Sequence, residues 1–280
     1  MSRDVLGDRM KLYESRETGR QLMPRLPICV RIDGRSFSKW TRSLRRPYDE
    51  GLSRVMVETT KFLVEEANAM IGYTQSDEIS LILRGEDFAS QPIFGAKIQK
   101  LTSVLASAAT ARFLALLPEH VPSKAGEIAM FDCRVWSVPD LSEAANVLLW
   151  REMDAIRNSI QSAAYALYSH NQLDKKSTAD MQAMILAKGI DWESYPVFFK
   201  RGTYLRRGKI RRLLSEEERS RIPEAHRPPA DSEVERTTTI ELELPPLIDV
   251  ANRAEVLFAG AEPILKGERE RENAAPLADA

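Results

Sequence analysis

Apolar positions recur along this chain with two different periods. Residues 26–32, Leu-Pro-Ile-Cys-Val-Arg-Ile, form a nearly continuous apolar run that stops at Asp33-Gly34, the pattern of a buried strand ending in a turn. The charged stretch 8–22 before it reads as a helix. From about 50 to 69, Leu52, Val55, Met56, Thr59, Phe62, Leu63 and Ala67 fall at helical spacing. Residues 69–73 and 79–83 then read as two strands, with Gln75-Ser76-Asp77-Glu78 at the turn between them. A second helix is expected over 94–117, ended by Pro118, and a strand over 129–136. Helical spacing returns over 141–169, carried by Leu148, Leu149, Ile156, Ile160, Ala163, Ala164 and Leu167, and over 178–188, where Gly189 serves as the cap. Residues 195–204 mix aromatic and basic side chains. The charged, proline-bearing stretch 215–232 reads as a loop, and 237–244 alternates like a strand.

The first four strands and two helices follow the order β-α-β-β-α-β, the ferredoxin-like split arrangement of an α+β fold, with a helical extension after it. Right-handed crossovers place the first and third strands side by side in mid-sheet. Asp33, at the end of the first strand, is then expected beside Asp77 and Glu78, at the start of the third. Three segments are expected: a catalytic domain over 1–140, a helical and basic-aromatic extension over 141–262 packed on it as one unit, and a disordered tail over 263–280.

Composition changes this picture little. The 280 residues are 43% hydrophobic and 29% charged, as in a soluble globular protein with a substantial core. Lys+Arg 40 against Asp+Glu 41 gives a net charge of −1, so a nucleic-acid partner would need a local basic patch or patches pooled by several subunits. Cys29 and Cys133 lie in apolar runs and read as buried thiols, without a disulfide or zinc framework. No signal core is seen at Met1-Ser2-Arg3-Asp4 and no run of transmembrane length, so a cytoplasmic location without membrane contact is expected.

Carboxylates at strand ends, beside a glycine and exposed amides, are what a site needs to hold Mg²⁺ and a nucleoside triphosphate. Asp33, Asp77 and Glu78 are the candidate acids. Gly34 lets backbone approach an ion, and the turn Gly34-Arg35-Ser36-Phe37-Ser38 offers consecutive amides to phosphates. Ser76 can donate its hydroxyl there or cap its turn. Lys200, Arg201, Arg206, Arg207, Arg211 and Arg212, with aromatics interleaved, are candidates for RNA backbone contact or a solvated face. Asp132 and Arg134 read as a strand-fixing charge pair or as ligands, Trp150 as core, and the three scattered histidines as no catalytic base.

Arg31-Ile32-Asp33-Gly34-Arg35, Gln75-Ser76-Asp77-Glu78, Phe131-Asp132-Cys133-Arg134 and Trp150-Arg151 resemble, in order and spacing, motifs of the tRNA(His) guanylyltransferases and their bacterial and archaeal relatives. Where eukaryotic members carry His-Ile-Asn-Asn, this chain has Ile156-Arg157-Asn158-Ser159, which is similar to the bacterial-type branch, known also for templated repair of truncated tRNA 5′ ends. The resemblance implies a polymerase-like palm that extends RNA in the 3′-to-5′ direction. ATP or GTP activates the tRNA 5′ end, and the 3′-hydroxyl of an incoming GTP then attacks it. Two Mg²⁺ ions about 3.5–4 Å apart would serve this reaction, held by Asp33, Asp77 and the Gly34 carbonyl, with Glu78 as ligand or orienting group. It further implies nucleotide contacts at Arg46 and Asp49 (activation), Lys97, Lys100, Arg151 and Asn158, and a homotetramer. Two alternatives stand beside it: a palm-type nucleotidyl cyclase or cyclic-dinucleotide synthase, and an inactive RNA-binding module.

Overall fold

The computed structural model describes residues 5–85, 92–229 and 231–267. Its helices and strands run α1 (Val5–Thr18), β1 (Ile28–Gly34), α2 (Phe37–Trp40), α3 (Glu50–Glu66), β2 (Ala69–Gln75), β3 (Glu78–Leu83), α4 (Ile98–His120), β4 (Phe131–Ser137), α5 (Leu141–Leu167), α6 (His170–Leu173), α7 (Thr178–Leu186), α8 (Val197–Arg201), β5 (Thr203–Leu213), α9 (Glu216–Ser220) and β6 (Glu233–Leu242), with short 3-10 turns and a π-helical turn between or after them. The strands form one antiparallel sheet in the order β4-β1-β3-β2-β5-β6. β1 and β3 are neighbours, as the crossover rule required, and their register sets Asp33 opposite Glu78.

Alternation along the central strands decides which helices they meet. Ile28, Val30 and Ile32 of β1 and Ile79, Leu81 and Leu83 of β3 face α3 and α4, where Val55, Met56, Leu63, Leu101, Leu105 and Phe113 complete a core. Cys29, Ile71, Tyr73 and Ile82 point the other way, onto Ala144, Ala145 and Leu148 of α5 and onto Leu247, Val250, Val256 and Leu257 after β6. Both faces are covered, so the strands read as continuous apolar runs rather than alternating ones. Each fully buried aliphatic here contributes about 1.5–3 kcal/mol relative to exposure. The second half of α5 holds a third cluster, with Ile160, Ala163 and Ala164 against Met181 and Ile185 of α7 and Phe199 of α8.

Glu152, 1% exposed, locks α5 to the far end of the chain. It accepts hydrogen bonds from the Tyr204 hydroxyl (2.8 Å) and the Leu247 amide (2.9 Å), with the Arg201 guanidinium 3.7 Å away. Burial pushes its carboxyl up, while these partners oppose the rise. The knot fixes the helix that also carries Arg151.

Several expectations change. Phe94, Gly95 and Ala96 have positive φ, so the second long helix starts at Ile98 rather than at 94. Pro118 does not end it. Proline costs only one amide near a terminus, and α4 continues to His120. By length and apolarity α4 is long enough to cross a membrane, contrary to the reading of the sequence; in this fold its Leu101, Leu105 and Phe113 belong to the core. The extension after residue 140 is not only helical, because β5 and β6 widen the same sheet. Part of 215–232 is ordered: Ser215 and Glu218 form a capping box that starts α9. Leu265 bridges to Val250, and the Ile264 amide donates to Asn252 Oδ1, so the expected tail is tied down at its beginning; residues 268–280, like 1–4, lie outside the described residues. Trp150 is 46% exposed rather than core, lying beneath the guanidinium groups of Arg31 and Arg151. Cys29 is buried and Cys133 half-buried; burial pushes both thiols up to about 12, which leaves them inert.

Candidate active site

Two turns meet at one edge of the sheet. The Gly34 amide donates to the Asp77 carbonyl (3.2 Å), and the Arg35 amide to the Met130 carbonyl (2.8 Å). The turn after β1 is thereby stitched to the β2–β3 turn on one side and to the approach to β4 on the other. Each turn has a serine in the left-handed region, Ser36 at φ 54° and Ser76 at φ 53°. Non-glycine residues there cost about 1 kcal/mol or more, and such strain is held where surrounding structure demands it. Neither is marked by a glycine, the residue that usually signals this conformation.

Gly34 is where a side chain cannot be added. A Cβ there would lie 2.5 Å from the Phe37 ring and 2.9 Å from Asp77 Oδ2. Phe37 cannot yield easily, since its ring packs against Trp40, Phe113 and Phe131 at centroid distances of 5.0, 5.7 and 5.8 Å. Gly34→Ala is expected to displace the Asp77 carboxylate and cut activity by about 100-fold or more, the scale set by misplacing a reacting group by about 1 Å. Steady-state kinetics beside a thermal melt checks this; near-normal activity would show that the close approach is dispensable.

Burial, and secondarily the charge of Asp33, raises Asp77 to about 6. The Ser76 hydroxyl, donating to Asp77 Oδ1 at 3.1 Å, partly opposes this rise. A carboxylate raised by burial and by a neighbouring negative charge is relieved by a cation. Among the described residues no group of three or more His, Cys, Asp or Glu forms a ready metal cage. A Mg²⁺ ion bound with a triphosphate commonly takes only one or two carboxylates from the protein, the phosphates supplying further oxygens. Asp33, Asp77 and the backbone at Gly34 fit that share. Asp132 stands across from Asp33 in the β1–β4 register, and Arg134 bridges them at 3.3 Å from Asp132 and 4.0 Å from Asp33.

Glu78 borders the same cavity but is already engaged. Arg151 grips it with two hydrogen bonds, Nε to Oε1 at 2.6 Å and Nη2 to Oε2 at 2.8 Å, while its Nη1 binds Asp154. Arg157 holds Asp154 from the other side. Both oxygens of Glu78 are therefore engaged by a guanidinium, and Arg151, expected at a nucleotide, is spent on carboxylates. The pair fixes the start of β3 to α5.

Two cavities open on the carboxylates and share Gln75, Ser76 and Asp77 as floor and Ser162 and Tyr165 as wall. The larger, about 640 Å³, reaches from Gly34, Ser36, Phe37 and Ser38 past Arg45, Arg46 and Asp49 to Tyr48 and Phe198. Of the turn's amides, Gly34 and Arg35 are committed to carbonyls, while those of Ser36, Phe37 and Ser38 have no backbone acceptor among the described residues. Arg45 and Arg46 are exposed and make no ion pair among the described residues. Asp49 caps α3, accepting from the Leu52 amide at 2.9 Å. The smaller cavity, about 320 Å³, is lined by Asp33, Glu78, Arg151, Asn158 and Gln161 besides the shared residues.

Lys97 and Lys100 line neither cavity; Lys100 Nζ sits 5.4 Å from the Phe94 ring. The basic run near 200 is divided by structure. Lys200 binds the Glu193 carbonyl (2.6 Å) and carboxylate (3.0 Å), Arg201 the Leu244 carbonyl (3.0 Å), Arg206 the Val256 carbonyl (2.9 Å) and Arg212 the Glu218 carboxylate (2.6 and 2.7 Å). These four hold the fold together. Strand alternation leaves Arg207, Lys209 and Arg211 exposed on one face of β5, with Arg207 touching Asn68 and Lys209 touching Glu235. Sequence reading missed Arg45, Tyr48, Gln161, Ser162 and Tyr165. The last three were legible as a polar stripe with Asn158, at i, i+3, i+4 and i+7, opposite the apolar stripe of α5.

Similarity to known proteins bears on the same residues. The Thg1 family model, described as tRNAHis guanylyltransferase, matches residues 7–139, which contain β1 to β4 and both carboxylate turns. The solved structure of a bacterial tRNA(His) guanylyltransferase (Thg1)-like protein in complex with ATP superposes with a TM-score of 0.68 at 37% identity, covering 72% of this chain and 87% of the other. A second, in complex with GTP, gives a TM-score of 0.68 at 30% identity, covering 88% and 94%. The tRNA(His) guanylyltransferase of Saccharomyces cerevisiae is 26% identical over 213 residues, 69% of this chain and 88% of that protein. With the fold, the paired carboxylate turns and these likenesses in agreement, the chain belongs to the tRNA(His) guanylyltransferase family of nucleotidyltransferases.

Proposed function

We propose that this protein adds nucleotides to the 5′ end of tRNA in the 3′-to-5′ direction, on a polymerase-type palm formed by the ferredoxin-like β1-α3-β2-β3-α4-β4 unit. The observation that carries this reading is Asp77, a carboxylate lining both cavities, with Asp33 close enough to raise it and lining the smaller one. Two reactants can then be held on either side of one pair of carboxylates.

The larger cavity receives the triphosphate of GTP or ATP. The amides of Ser36, Phe37 and Ser38 and the cations of Arg45 and Arg46 supply its positive lining. The smaller cavity receives the RNA end. Asp33 and Asp77 would hold two Mg²⁺ ions, which when bound lower the charge on the phosphates and favour an ionised attacking hydroxyl. Asp77 acts in its ionised form, which its raised pKa of about 6 disfavours below that pH and which a bound cation would favour. The Arg151–Glu78 clamp keeps the β2–β3 turn fixed while nucleotides exchange. Exposed Arg207, Lys209 and Arg211 on β5 offer phosphate contacts for the body of the tRNA, and a cytoplasmic homotetramer would pool such patches in a chain with almost no net charge.

Calorimetric titration with GTP, with and without Mg²⁺, tests this reading against an RNA-binding module. Binding that requires Mg²⁺ is expected; tight binding indifferent to it supports the module. A cyclase would consume GTP without RNA, so product formed from nucleotide alone would also count against the proposal.

A further inference from the structure

Among the ten residues lining the smaller cavity, Tyr165 alone carries an aromatic ring. It stands on the solvent side of α5, 40% exposed, where the cavity meets the larger one. Its ring lies parallel to that of His170, with 12° between planes and 5.9 Å between centroids, and its hydroxyl is 3.3 Å from His170 Nδ1. Both contacts favour this orientation of the ring. Asn158 and Gln161 project from the same face of α5 into the same cavity, seven and four residues earlier. Their amides can donate and accept together, as needed to meet a base edge or a ribose hydroxyl.

Charge tells which nucleotide belongs here. The larger cavity has Arg45 and Arg46, without an ion pair among the described residues, and the amides of Ser36, Phe37 and Ser38, a lining for a triphosphate. In the smaller cavity the one cation, Arg151, is already shared between Glu78 and Asp154. Little remains for a polyphosphate, whereas a base and sugar are served by a ring and two amides.

We infer that Tyr165 is the stacking platform for the 5′-terminal base of the RNA, with Asn158 and Gln161 facing that nucleotide's edge or sugar. This rests on the functional reading above. Stacking needs the ring and not the hydroxyl. Tyr165→Ala is therefore expected to raise KM for a 5′-truncated tRNA by about 10- to 100-fold, about ten-fold more than any change in KM for GTP, since the ring also borders the larger cavity, while Tyr165→Phe recovers most of the loss.

A second readout needs no chemistry. 2-Aminopurine at the 5′-terminal position of the RNA should be quenched on binding to the wild-type and Phe proteins, and not on binding to the Ala variant. An Ala variant that quenches the probe and keeps wild-type KM, or whose KM rises for GTP instead of RNA, would overturn the platform while leaving the functional reading in place. Wild-type protein that neither extends RNA nor quenches the probe would overturn both.

Discussion

Asp77→Asn is expected to reduce nucleotide addition by about 1,000-fold or more, the scale of losing a metal's hold on a reacting phosphate, and yet to raise the melting temperature of the free protein. The second half follows from the carboxyl's environment. In the fold its pKa is about 6, against an ordinary aspartate value of 3.8, chiefly because it is buried and secondarily because Asp33 is near. Between those two values the folded protein holds a proton that the unfolded chain has lost. Stability associated with this group is therefore complete below about pH 4 and declines as pH rises through 6. By pH 7 the ionised Asp77 costs the free fold up to about 2–3 kcal/mol, which asparagine avoids. Thermal melts of both proteins from pH 4 to 8 in EDTA should show curves that meet near pH 4 and separate by several degrees at pH 7.5. Addition of Mg²⁺ and GTP should stabilise wild type and leave Asp77→Asn almost unmoved. An Asn variant less stable than wild type at pH 7.5 would mean that Asp77 serves the fold and not the ligand.

Arg151→Met is expected to carry the largest stability loss near the site, about 2–4 kcal/mol in the urea midpoint analysis, because it strands Glu78 in half-buried surroundings and leaves Asp154 with Arg157 as its remaining cation. The cost is mostly that of the unpaired charge. Glu78→Gln in the same chain should recover a good part of it, giving a coupling well above the few tenths of a kcal/mol seen for independent sites. Activity should fall in the single variant as the β2–β3 turn loosens and return in part in the double. Two substitutions whose effects simply add would show that the bidentate pair is a surface ornament. Glu78 acting as a metal ligand predicts a different pattern, in which Glu78→Gln abolishes activity at unchanged stability.

The centre of the fold was legible because its signals are local and repeated. Apolar runs bounded by Asp33-Gly34 and by Gln75–Glu78 located β1, β2 and β3, and the right-handed crossover then required β1 and β3 to be neighbours. From that adjacency the meeting of Asp33 with Asp77 and Glu78 followed before any coordinates. β5 was hidden because its inner residues include Arg206 and Arg212, whose partners, a carbonyl after β6 and the α9 carboxylate Glu218, are remote or belong to a stretch that looked like loop. A basic residue with such a partner looks the same in sequence as one facing RNA or solvent, so Lys200, Arg201 and Arg206 read as candidates for either.

Roles inside the site were harder still. The spacing of Glu78 and Arg151 does not reveal that they bind each other across 73 residues. Trp150 was read as core for its size, whereas the two guanidinium groups over its ring make it half-exposed cover. The turns' shape depends on Ser36 and Ser76 adopting a conformation more usual for glycine, which composition does not announce. What the sequence did hold in plain sight was the polar stripe of α5, Asn158, Gln161, Ser162 and Tyr165, which becomes the wall of both cavities only once α5 is laid along the sheet edge.

Incubation of the protein with labelled GTP, ATP and Mg²⁺ and either tRNA(His) or a 5′-truncated tRNA tests the central claim most directly. Label joined to the tRNA 5′ end, dependent on Mg²⁺ and absent with Asp33→Ala or Asp77→Asn, is the predicted result. Label that stays in free nucleotide, that appears in a nucleotide-only product, or that is incorporated equally well by the two carboxylate variants would contradict it.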